Sequence, residues 1–164
     1  MMAALALLPA CLSRTPAAKI YALPATDTAT APTEQRARIA LVLPTYLQRT
    51  EMRLFDAASG EVRPCKGGLW AESLQELLAD ALAARLPNCT GTVVCTAFAP
   101  DFGGRFHAQG RFSVRRTNEA FSDDFNFTLP PPADSPLLSP AAIARQYADA
   151  IAELARRLDN ATIP

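Results

Sequence analysis

The stretch Arg105-Phe106-His107-Ala108-Gln109-Gly110-Arg111-Phe112-Ser113-Val114-Arg115-Arg116 alternates between apolar and polar residues along its whole length. Phe106, Ala108, Gly110, Phe112 and Val114 fall on one side, and His107, Gln109, Arg111, Ser113 and Arg115 on the other. A period of two is the mark of a strand with one dry and one wet face. Thr117-Asn118 supplies turn residues, and Phe121, Asp123, Phe125, Phe127 and Leu129 carry the alternation back. The pattern predicts an antiparallel hairpin whose phenylalanines face one another across the strands. Asp123 is the one charge on the apolar side, and it is expected close to the turn, where water reaches it.

Working outward, the clearest helical pattern spans Leu69 to Leu86, after a break at Gly67-Gly68. Trp70, Leu74, Leu77, Leu78, Ala81, Leu82 and Arg85 recur at three-and-four spacing. Pro87-Asn88 ends the pattern. A second helix is expected from Ser139-Pro140, with Ser as N-cap and Pro in the first turn. Its stripe is Ile143, Tyr147, Ile151, Leu154 and Leu158, and Asp159-Asn160 closes it.

Arg38 to Leu43 is a continuous apolar run before Pro44 and predicts a buried strand. Glu51–Phe55 and Glu61–Arg63 flank turn residues and predict a small hairpin. Thr92–Phe98 predicts a further strand. Lys19-Ile20-Tyr21-Ala22-Leu23 is a short strand-like island, suited to pairing with a sheet edge. The expected fold class is α+β (mixed α/β), a single small sheet of about five to six strands with two helices on one face.

The chain has 164 residues, with 16 basic and 16 acidic side chains. That balance gives no electrostatic footprint for nucleic acid or for anionic lipid. The 14 prolines cluster before Pro32 and from Pro130 to Pro140, which reads as linker. At the N-terminus an apolar run ends in Leu8-Pro9-Ala10-Cys11. An apolar segment, a small residue and a cleavage point are the anatomy of a secretory signal. With cysteine next, the arrangement resembles a bacterial lipobox and makes Cys11 the lipid attachment residue, although no Lys or Arg precedes Arg14. The expected organisation is a signal over 1–10, a lipidated tether over 11–37 and one domain over 38–160. The apolar run is too short to span a bilayer, which takes about 20 residues.

Of the four cysteines, Cys65, Cys89 and Cys95 remain. In an oxidising compartment they permit one bridge and a spare thiol, or three unpaired thiols. Cys65–Cys95 is a reasonable pair. Cys65 and Cys89 are expected at opposite ends of the first helix and too far apart to join. The spacing of Cys89 and Cys95 fits no common zinc pattern, and His107 is the only histidine.

No catalytic set is recognisable. There is no Gly-x-Ser-x-Gly and no glycine-rich phosphate loop with a lysine. Asp123 and Asp124 are consecutive strand residues and point to opposite faces. No acid is expected to orient His107, so it reads as a solvated strand residue. Arg111, Arg115 and Arg116 read as a solvated basic stripe. No cofactor is expected and no enzymatic activity.

Leu43-Pro44-Thr45-Tyr46-Leu47-Gln48-Arg49, with Leu69-Trp70-Ala71-Glu72-Ser73-Leu74 about twenty residues on, resembles the ABC-type transport auxiliary lipoprotein family, the PqiC-like proteins. The lipobox, the Tyr21-Ala22-Leu23 island, the Phe-rich hairpin and the Ala-rich terminal helix Ala141 to Leu158 follow that family's order. The resemblance implies a non-enzymatic outer-membrane lipoprotein on the periplasmic face of a Gram-negative envelope. It implies MCE-domain proteins and inner-membrane transporter components as partners, in a system that moves lipid between membranes, with a homo-oligomer as one form. Two other roles stay open: a stand-alone periplasmic lipid- or solute-binding module, and a structural lipoprotein that scaffolds a cell-wall enzyme.

Overall fold

The computed structural model describes residues 17–23, 38–56, 58–116, 119–133 and 138–161. Seven strands and two helices follow in the order β1 (Lys19–Tyr21), β2 (Arg38–Val42), β3 (Glu51–Asp56), β4 (Glu61–Trp70), α1 (Leu74–Arg85), β5 (Cys89–Pro100), β6 (Phe106–Arg116), β7 (Glu119–Leu129) and α2 (Pro140–Ala161). A 3-10 turn, Thr45–Leu47, lies between β2 and β3. The fold is mixed α+β as expected, but the strands form two sheets rather than one. One has the order β1-β4-β3 and the other β2-β5-β6-β7.

The alternating stretch forms the hairpin it predicts. β6 and β7 pair antiparallel from Phe106↔Leu129 to Arg116↔Glu119. Phe106, Ala108, Phe112, Val114, Phe125 and Phe127 are buried on the inner face. Gly110 belongs to that face because nothing larger fits. A Cβ there would stand 2.2 Å from the Val94 carbonyl oxygen and 2.7 Å from Cζ of Phe125. Asp123 is exposed, and its carboxylate accepts from the Asp124 amide at 2.8 Å. A charge at an inward position of an edge strand opposes sheet-to-sheet pairing.

β5 is longer than the Thr92–Phe98 expected. It pairs antiparallel with β6 and parallel with β2. β2 alternates rather than lying buried throughout: Ile39 and Leu41 are inside, while Val42 is 42% exposed. As an edge strand it has only one covered face, which the apolar run by itself did not reveal.

The largest departure is at Gly67–Trp70. The helix expected from Leu69 starts at Leu74, and Leu69 and Trp70 continue β4. Leu69 pairs with Ile20 on one side and Glu51 on the other. The Trp70 amide donates to the Thr50 carbonyl at 2.7 Å, and its side chain is buried. Pairing on both edges outweighs the helical spacing of these residues. Gly68 sits where a Cβ would meet Sδ of Met52 at 2.7 Å and Cβ of Pro140 at 2.8 Å. With Cys65 in β4, the separation argument for Cys65 and Cys89 loses its premise. All three described cysteines are free, so the alternative of a Cys65–Cys95 bridge falls away.

The helices cover the inside of the sheets. α1 buries Leu74, Leu78 and Leu82 and packs mainly on β2. α2 buries every residue of its expected stripe and lies against α1, β4 and the four-stranded sheet. The Ser139 hydroxyl accepts from the Ala142 amide at 3.2 Å, which makes it the cap the sequence predicts. The helix runs past Asp159-Asn160 to Ala161, and Asp159 is paired with Arg116 at 2.8 Å. Tyr147 is the hub of the core. Its ring meets Trp70 edge-on at 5.2 Å and Phe106 edge-on at 5.0 Å. Such pairs add about 0.5–1.5 kcal/mol each beyond the area they bury.

Candidate functional site

Three stretches far apart in the sequence are joined at one place. Tyr21, on the island, is the strand partner of Trp70. The Tyr21 carbonyl accepts the Ala71 amide at 2.8 Å. Thr50, the residue after the Leu43–Arg49 stretch, holds the Trp70 amide from the opposite edge. Tyr46, on the 3-10 turn, stacks on Phe55 of β3 at 5.0 Å. The turn itself is fixed from both sides. Gln48 donates to the Leu43 carbonyl at 3.0 Å, and Gln75 of α1 accepts the Leu43 amide at 3.4 Å. Trp70 is the floor of this junction and Tyr147 lies beneath it. Trp70 is core, and its position is one of assembly rather than of chemistry.

The polar atoms below the junction are unusual. Burial pushes the Tyr46 phenol up to about 12, and the Cys95 thiol likewise to about 12. Burial also raises Tyr147 well above its ordinary value. Among the described residues, the buried Tyr147 hydroxyl has no hydrogen-bond partner. These groups stay protonated at neutral pH, so none serves as a base or a thiolate nucleophile.

His107 differs from expectation. Its Nε2 lies 2.9 Å from Oδ2 of Asp101, so an acid does orient it. The other carboxylate oxygen of Asp101 accepts the Gly103 amide at 2.8 Å and the Arg105 amide at 2.9 Å. Partial burial pushes the Asp101 pKa up, but these donors outweigh it and hold the carboxyl below its ordinary value. The pair closes the β5–β6 turn. The same turn is held from α2, where the buried Gln146 donates to the Gly104 carbonyl at 2.6 Å. Sequence reasoning missed Gln146; its one signal was its place beside Tyr147 on the apolar stripe.

Among the described residues, no element packs on the outer face of the four-stranded sheet. Val94, Thr96, Gln109, Arg111, Asp124 and Asn126 line a shallow groove of about 520 Å³ there. Arg111 and Asp124 pair across it at 3.0 Å with both side chains largely in water. Arg111 therefore belongs to a solvated cross-strand pair. Arg116 is turned toward Asp159 instead. Among the described residues, no group of three or more His, Cys, Asp or Glu side chains is placed to hold a metal ion. No described helix is long and apolar enough to cross a membrane. Cys11, the expected attachment residue, lies outside the described residues, as do the expected signal and the Thr117-Asn118 turn.

No family model matches the sequence, and no curated protein does. The fold, in contrast, is shared with solved structures. The crystal structure of a Xanthomonas campestris protein of the DUF330 family superposes with a TM-score of 0.57 at 15% identity, over 85% of this chain and 92% of that one. The crystal structure of an uncharacterized protein superposes with a TM-score of 0.56 at 16% identity, over 87% and 99%. The chain thus has the fold of the DUF330 protein.

Proposed function

We propose that this chain is a non-enzymatic, lipid-anchored subunit of an intermembrane lipid transport system of the MCE/ABC type, a PqiC-like auxiliary lipoprotein. Its place is the periplasmic face of the outer membrane, and its partners are an MCE-domain protein and inner-membrane transporter components. The observation that carries the reading is the backbone junction of Tyr21, Thr50, Trp70 and Ala71. Tyr21 of the island pairs with Trp70 and accepts the Ala71 amide, while Thr50, directly after the Leu43–Arg49 stretch, accepts the Trp70 amide, so the short stretches that resemble the family by order in the sequence are joined through their backbones at Trp70–Ala71.

Two measurements test the reading. Replacing Cys11 with Ser should release the protein from the membrane fraction; association that persists unchanged removes the anchor. Affinity capture from detergent-solubilised envelopes should recover an MCE-domain protein together with transporter subunits. Recovery without either class removes the proposed partners.

A further inference from the structure

The island that begins the described chain is held far more lightly than the rest. β1 has three residues and one neighbour, paired as Lys19↔Gly68, Ile20↔Leu69 and Tyr21↔Trp70. β6, in contrast, is paired along its length on both sides. Lys19, Ile20 and Ala22 are exposed, with Ile20 at 71%. Tyr21 and Leu23 alone reach inward, and both stop half-buried against the core. A short edge segment with few buried groups and exposed hydrogen bonds opens at a small fraction of the global unfolding cost.

The position of β1 along the chain gives such opening a consequence. Lys19 is eight residues beyond Cys11, and Arg38, the start of β2, is 27 beyond it. A chain spans at most about 3.5 Å per residue, so Lys19 lies within about 28 Å of Cys11 and Arg38 within about 95 Å. We infer that Lys19–Leu23 is a releasable clasp. Docked on β4, it keeps the folded domain within eight residues of the attachment point; undocked, the limit becomes the 27 residues to Arg38, which more than triples the maximum reach. The inference rests on the reading of Cys11 as the lipid attachment point. The clasp closes with Tyr21 over Trp70 and the Ala71–Tyr21 hydrogen bond, and it opens with no change to the other sheet.

Hydrogen exchange tests the clasp without the lipid. In the full chain carrying Cys11→Ser, the Ala71 amide should exchange at least about 100-fold faster than the Phe112 amide of β6, as sub-global opening requires. Tyr21→Ala should speed Ala71 further, by about tenfold, and leave Phe112 unchanged. Equal protection of Ala71 and Phe112, or equal change in both, overturns the clasp. Reach is read on the lipidated protein in phosphatidylethanolamine–phosphatidylglycerol vesicles that carry an acceptor-labelled lipid. A donor dye is attached at Asn160→Cys, in a Cys65→Ser background. Wild-type and Tyr21→Ala should both float with the vesicles, and Tyr21→Ala should lower energy transfer by about half, because its tether is longer. Flotation with unchanged transfer overturns the clasp alone. Failure of the wild-type lipidated protein to float overturns the attachment itself, and the clasp with it.

Discussion

The β5–β7 meander and the β1–β4–β3 sheet are built on opposite plans. In the meander, neighbours in space are neighbours in sequence, and β6 keeps one period along its length, while β5 breaks it once at the register shift between Cys95 and Ala97. In the smaller sheet, β1 pairs in parallel with a strand almost fifty residues away, and β4 carries Gly, Pro and Trp in a run with no clean period. Local pairing is specified by local pattern; non-local pairing is specified only by what the finished core leaves room for.

The largest effect should come from the residue that joins the two regions. Tyr147 touches Trp70 of the small sheet and Phe106 of the meander, and it is fully buried. Tyr147→Ala should cost about 4 kcal/mol in denaturant unfolding, the usual range for a lost core aromatic. Tyr147→Phe should be neutral or stabilising, because it removes a buried hydroxyl without a partner. A large loss for Tyr147→Phe would mean that the hydroxyl is bonded after all.

Next come two closely packed glycines, one taken from each region. Gly110→Ala forces a methyl against backbone atoms of β5 and should cost about 3 kcal/mol. Gly68→Ala meets the end of Met52, which can turn aside, as well as Pro140, and should cost about 1–2 kcal/mol. Equal costs would erase the contrast in rigidity between the two sheets.

A third effect depends on pH. Glu153 of α2 is held down to about 2, chiefly by hydrogen bonding to Arg156 and also by Arg157. Arg157 in turn lies 4.8 Å over the Phe127 ring of β7. A carboxylate with a lowered folded pKa stabilises the fold above its ordinary value of 4.5, and that stability is lost as pH falls from there through about 2. Thermal unfolding of Glu153→Gln should therefore show a shallower fall over that window than wild type. An unchanged acid limb would detach α2 from this brace.

The smallest effect belongs to the meander's outer face. Arg111→Ala should change stability by less than about 0.5 kcal/mol, because the pair with Asp124 is surrounded by water. A larger loss in urea unfolding would show that the uncovered face contributes to the fold.

By itself the sequence determined the elements where a local rule meets no competing partner. The β6–β7 hairpin, the Ser139 cap and the α2 stripe follow from alternation, capping chemistry and helical spacing, and each stands where those rules put it. The island at Lys19 was legible as an edge strand from its length and its β-branched centre. Much of the candidate junction was legible as motifs, but its meeting point was not. Tertiary structure alone decided that Leu69 and Trp70 are strand rather than helix, because two edges compete for their backbone. It also decided that the strands divide into two sheets, that Asp101 orients His107, and that Gln146 reaches Gly104. Each of these depends on a partner distant in the chain or around a turn, and a pattern of single residues carries no record of which backbone group will be left unpaired until the chain is folded.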